Sequence, residues 1–186
     1  RVNVAQVFNF SATDPSSVDQ AAGFTFDIDW DGDGTFDLTT SGLNASLSHA
    51  YASAGSYDVT VRATDKDSGA SELATHTVHV WRSAKVGANV EWEGSDGDDA
   101  VEFEQTGADT VQVRTLTIGG QAINITENFS GITGRVLGFG NAGYDVLNAA
   151  ALTSLAATLE GGRHNDTITG GAADDILRGE FVGAAG

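Results

Sequence analysis

Cysteine is absent from the 186 residues, so neither a disulfide nor a thiolate metal site exists. Stability has to come from packing or from another kind of cross-link, and a bound metal is the obvious substitute. Methionine is absent too, proline occurs once, and only 9 basic side chains stand against 26 acidic ones. The formal net charge of -17 is shared by both halves, with 4 basic and 11 acidic residues through Arg82 and 5 and 15 after it. Such a surface repels phosphate backbones and anionic membranes and attracts divalent cations, which argues against nucleic-acid binding and membrane insertion. No apolar run is long enough to span a bilayer, and no signal-peptide pattern opens the chain. GxSxG, Cys-His and phosphate-cradling P-loop patterns are missing as well, so no enzymatic activity is expected of this segment.

What is present is glycine, 24 of it, with Val, Ile, Thr and Phe in short alternating runs between Gly, Asp and Ser clusters. This is the signature of a strand-rich chain. Residues 7–10, 24–30 and 57–63 alternate apolar with polar side chains, the period-two pattern of strands buried on one face. In the last of these Tyr57, Val59, Val61 and Ala63 are expected to face the core and Asp58, Thr60, Arg62 and Thr64 the solvent. Residues 73–81 read as a closing strand and 83–88 as a polar linker, with Trp81 and Trp92 on either side placed to pack the two parts together. Gly119-Gly120 supplies the positive φ angles of a tight hairpin turn between 111–118 and 122–125.

Residues 24–34 (FTFDIDWDGDG), His49-Ala50-Tyr51, Gly55-Ser-Tyr57-Asp-Val-Thr-Val61 and Ala63-Thr-Asp65 stand in an order and spacing that resembles the PKD domain, an Ig-like β-sandwich. The resemblance covers roughly residues 5–81, with Ala54 where that family commonly has proline. Within it, Asp29-x-Asp31-x-Asp33-Gly34-x-x-Asp37 puts oxygen donors at slots one, three, five and nine of a loop whose glycine permits a sharp turn, and Thr35 can add its backbone carbonyl. Hard cations take six to eight oxygens, and this spacing curls carboxylates around one point. Slot twelve holds Thr40 instead of a bidentate glutamate, so weak calcium binding is the expectation.

The second half repeats a different unit. Glycines at 161–162 and 170–171 are each followed by an aspartate, Asp166 and Asp175, and then by Ile168 and Leu177, a period of nine. Gly94 to Val101, with Asp99, and Gly140 to Leu147, with Gly143 and Asp145, fit the same G-G-x-G-x-D-x-U-x nonapeptide. These four stretches resemble the hemolysin-type (RTX-like) calcium-binding repeats of bacterial proteins. The resemblance implies parallel β-coils in which successive turns lie on opposite sides, so that carboxylates stack about eighteen residues apart. Asp145 and Asp166, 21 apart, form the best second site, with backbone contributions from Gly143 and Gly162. Asp175 needs a partner near 157 or 193 and reads as a half-site, followed by a tail in which only Phe181 and Val182 offer apolar anchorage. With a further repeat opening at Gly179, the chain reads as an excerpt of a longer protein.

Other patterns fall to simpler readings. Gly138-x-Gly140-x-x-Gly143 matches a dinucleotide fingerprint, but no βαβ series surrounds it and the same glycines belong to the repeat. His76 and His79 fall on opposite faces of one strand and cannot chelate together, and zinc is not expected. The sequence-based expectation is therefore all-β: a PKD-like antiparallel sandwich at 1–82, a linker at 83–88 and a β-rich domain at 89–186 ending in parallel β-coil turns. The expected function is that of an extracellular or cell-surface bacterial module that binds calcium and serves as spacer or adhesion unit. The rival is an accessory domain pair of an extracellular hydrolase, binding polysaccharide or protein.

Overall fold

The computed structural model describes residues 1–180, so Phe181 and Val182 lie outside the described residues. The described chain is all-β apart from one six-residue helix, α1 (Ser17–Ala22). The sequence reading missed α1. It is a local device: the Ser16 side chain accepts the Asp19 N–H at its start and Gly23, at φ 82°, ends it.

One compact unit takes in Asn3–Ala52 and Tyr57–Val78. Here β1 (Gln6–Ser11) pairs antiparallel with β4 (Asn44–His49). A second sheet has the order β3-β2-β5-β6, from β2 (Phe24–Asp29), β3 (Leu38–Gly42), β5 (Gly55–Thr64) and β6 (Ala74–Val80). The alternation read at 24–30 is realised, since Phe24, Phe26, Ile28 and Trp30 are all buried, together with Ala45, Tyr51, Val59 and Val78. Trp30 closes the end of this core, with its indole 5.0 Å from the Phe8 ring and stacked at 4.6 Å on His49. Tyr51 donates its hydroxyl hydrogen to the Trp30 carbonyl at 3.0 Å, and burial pushes its phenol up to about 12.

Among the described residues, the other unit comprises 79–180 with Arg1–Val2 and Ser53–Ser56. The stretch expected as a linker, 83–88, is instead most of β7 (Arg82–Val86) and its turn at Gly87 (φ 60°) into β8 (Asn89–Glu93), an antiparallel hairpin. From β8 the chain winds as a coil. The strands β8, β12 (Val136–Phe139), β14 (Ala157–Gly162) and β16 (Ile176–Glu180) stack in parallel on one face. On the other face β9 (Ala100–Gly107), β13 (Val146–Ala151) and β15 (Thr167–Thr169) do the same. Between β9 and β12 the chain leaves the coil in a hairpin of β10 (Thr110–Ile118) and β11 (Gln121–Ser130), which widens the second sheet to β11-β10-β9-β13-β15. Its turn residues Gly119 and Gly120 have φ 55° and 74°, as the Gly-Gly pair implied.

Between the two sheets lies a core of Val90, Trp92, Val101, Phe103, Val136, Leu147, Leu159 and their neighbours. Each fully buried side chain of this size contributes roughly 1.5–3 kcal/mol. Trp81 and Trp92, expected on either side of a linker to pack two parts together, both belong to this one cluster. Trp92 is fully buried and satisfies its indole N–H on Thr115 Oγ1 at 3.0 Å.

Candidate metal centres

The acidic loop after β2 begins with Asp29, whose side chain is buried while Asp31, Asp33, Thr35 and Asp37 are exposed. Asp29 organises the loop. Its Oδ1 accepts the N–H groups of Asp31 (3.2 Å) and Gly32 (2.7 Å), and its Oδ2 that of Gly34 (2.9 Å). Desolvation pushes its carboxyl up, but the backbone donors outweigh burial and hold it below the usual carboxylate range. Asp37 Oδ2 accepts the Trp30 N–H at 2.7 Å, bringing the far end of the loop back. Carboxylate oxygens of Asp29, Asp31 and Asp37 consequently lie within 4.8 Å of one another. Asp33 is not in this group; its Oδ1 accepts the Thr35 N–H at 2.7 Å. Three of the four expected carboxylates thus converge, and the fourth caps its own turn.

In the coil, one edge is formed by the turns 94–99, 140–145 and 161–166. The aspartates ending the second and third turns point along the stack to the turn before. Asp145 Oδ1 accepts the Asp99 N–H at 2.8 Å, and Asp166 Oδ1 the Asp145 N–H at 3.0 Å. The glycine five residues ahead of each aspartate leaves room for the second carboxylate oxygen. A Cβ on Gly140 would sit 2.3 Å from Asp145 Oδ2, and one on Gly161 2.0 Å from Asp166 Oδ2. That contact is the physical content of the glycine-to-aspartate spacing. Gly143 is held against the preceding turn, its φ at 123° and a Cβ there 2.6 Å from the Gly97 carbonyl carbon. Gly162, at φ 107°, lies equally close to the Asn141 carbonyl, which accepts the Arg163 N–H at 2.9 Å.

The aspartates differ in how well they are satisfied. Asp99 accepts from Gly119 N–H at Oδ1 and from Ser95 N–H at Oδ2, with the Ser95 hydroxyl bonded to both oxygens. Asp145 Oδ2 and Asp166 Oδ2 are buried and have no hydrogen-bond partner among the described residues. Burial pushes the Asp99 carboxyl up to about 6 despite its donors, with a further push from the Asp98 charge. Asp145 rises to about 7, first through burial, eased by the Asp99 N–H and aggravated by the charges of Asp99, Asp166 and Asp98. Two orphaned oxygens on adjacent turns, one belonging to a side chain 1% exposed, fit a bound cation chemically.

Asp175 lies on the opposite edge. Its Oδ1 accepts the Ala157 N–H at 2.7 Å and its Oδ2 the Gly171 N–H at 2.6 Å. The partner sought near 157 is thus a backbone N–H, not a second carboxylate.

The family model described as PKD domain matches residues 1–80. That match supports the PKD reading of the first part of the chain, and the PKD family is non-catalytic. No curated protein and no solved structure matches the chain.

Sequence reasoning missed three groups of residues. Asp14, Asp19 and Asp65 bring carboxylate oxygens within 4.8 Å of one another, with the Lys66 ammonium 2.8 Å from Asp19 Oδ1. Ser95 and Asp98 belong to the coil edge, where Asp98 Oδ1 accepts the Tyr144 N–H at 2.9 Å; the Gly94-Ser-Asp-Gly-Asp-Asp run held both, but nothing in it revealed which turn stacked above. Gln105 and Arg135 bind distant turns through long side chains, and no spacing rule marks them.

Proposed function

We propose that the chain is a non-catalytic calcium-binding module, a structural spacer or adhesion unit of a larger extracellular bacterial protein. The PKD match supports the structural or adhesive character of residues 1–80, and no helix among the described residues is long and apolar enough to cross a membrane. The calcium reading is carried by one observation, the orphaned and buried oxygens of Asp145 and Asp166 on adjacent coil turns. Together with the nonapeptide spacing, they favour hemolysin-type repeats in which glycines admit the carboxylates and the ion neutralises them. Asp99, next in the same column, adds charge to this edge, while Asp29, Asp31 and Asp37 offer a second, more exposed site. Sites of this kind, supplemented by water, suit the millimolar calcium found outside cells.

Thermal melts in EDTA, calcium and magnesium test the reading. Calcium should raise Tm markedly and magnesium less, because magnesium demands tight octahedral geometry and gives up water reluctantly. Identical curves in all three would contradict it.

A further inference from the structure

The coil has two turning edges, and among the described residues only one carries a column of carboxylates. On the other, β12 sets Val136 beside Ala157, and the β14–β16 register, extended by one residue from the Thr158–Ile176 pair, sets Ala157 beside Asp175. The equivalent column is therefore Val136, Ala157, Asp175, with a single carboxylate. Both of its oxygens are already engaged by N–H groups. The carbonyls on this edge are met by Arg135. Its Nη2 donates to the Ala157 carbonyl at 2.7 Å and to the Asp174 carbonyl at 3.1 Å, while Nε donates to Thr158 Oγ1 at 3.0 Å. The Arg135 backbone is itself fixed, its N–H on Asn89 Oδ1 at 2.8 Å. The amides of the 152–156 turn are gathered by Gln105, whose Oε1 accepts from Thr153, Ser154 and Leu155 at 3.1, 2.9 and 3.1 Å.

We propose that Arg135 is a built-in cation that holds the second edge of the coil in place of a divalent ion, confining metal in this half to the edge of Asp99, Asp145 and Asp166. A guanidinium is permanently charged and carries five donors in a planar fork, so it can bridge carbonyls on successive rungs without needing carboxylates. A divalent ion needs six to eight oxygens, anionic ones among them, and would meet the positive charge of Arg135 at the same carbonyls. The inference rests on the calcium reading only for what the first edge holds.

Amide exchange on the wild type, Arg135→Met and Arg135→Lys, each in EDTA and in millimolar calcium, tests it. Both variants keep the aliphatic stem and only lysine keeps a charge. In the wild type, exchange at Gly171, Asp175 and Ile176 should be the same with and without calcium. In EDTA, Arg135→Met should exchange there about tenfold faster or more, and Arg135→Lys within about threefold of wild type. Wild-type rates at these amides that slow on adding calcium would overturn the inference, because the edge would then take metal despite Arg135. So would an Arg135→Met protein that exchanges like wild type in EDTA, or an Arg135→Lys protein that exchanges as fast as Arg135→Met. Should Arg135→Met fail to fold, the wild-type pair of measurements and the lysine variant still decide. The EDTA comparison involves no calcium, so it stands even if the amides of Asp145 and Asp166 prove indifferent to calcium and the proposed function fails.

Discussion

The acidic loop of the sandwich and the aspartate column of the coil are built from the same side chain, yet they leave it in opposite states. Asp29 is as buried as Asp145, both 1% exposed. Asp29 accepts three backbone N–H groups across its two oxygens and its carboxyl is held low. Asp145 accepts one, keeps an oxygen with none, faces carboxylates on either side, and is pushed up to about 7. Exposure alone does not separate the two sites. The supply of donors to the buried oxygens does. The loop can stand empty because its own backbone neutralises it, whereas the column has a deficit that a cation would fill.

The largest consequence is in pH dependence. Asp99 and Asp145 have folded-state values raised above the unfolded value of 3.8, so the folded chain binds protons more tightly. Their contribution to metal-free stability is full below about pH 4, falls as pH rises, and is gone above about 7, on the order of a few kcal/mol. Urea denaturation in EDTA across that window should show the decline in the coil, and saturating calcium should flatten it. Asp29 works the other way: its lowered carboxyl contributes stability above about 4 that is lost only as pH falls further.

Next in size is Asp29→Ala. Removing the acceptor of three N–H groups should destabilise the sandwich by about 2–3 kcal/mol with or without calcium, because the loss is of loop hydrogen bonds and not only of a ligand. Asp31→Asn marks the small end. Asp31 is exposed, so metal-free stability should change by less than about 0.5 kcal/mol, while calorimetry should show one calcium-binding event lost and the coil's event retained. Equal effects from the two loop variants would erase the distinction between organiser and ligand.

What the sequence disclosed follows the same physics. Period-two alternation at 24–30 is enforced by a one-sided core, and the five-residue gap from Gly140 to Asp145 by the closeness of the glycine Cα to Oδ2, so both were legible. The position of Asp99 in the column was not, because the β10–β11 hairpin separates it from Asp145 by 46 residues where an unbroken coil has about eighteen. Residues 83–88 read as a linker since most of them belong to β7, an edge strand that among the described residues pairs only with β8 and has one buried side chain, Ser83. Arg135 reaches turns 22 and 39 residues ahead, and no local pattern encodes such a reach.

Asp145, buried with one oxygen unbonded among the described residues, carries an uncompensated charge when no cation is present. The most direct measurement is the stability of Asp145→Asn against wild type by urea denaturation in EDTA at pH 8, followed by the same pair in calcium. An amide keeps the shape and the acceptor for the Asp99 N–H but removes the charge. The variant should be more stable than wild type in EDTA by about 1–2 kcal/mol and should lose most of the stabilisation that calcium gives the wild-type coil. A variant less stable than wild type in EDTA, with an undiminished gain from calcium, would contradict the account.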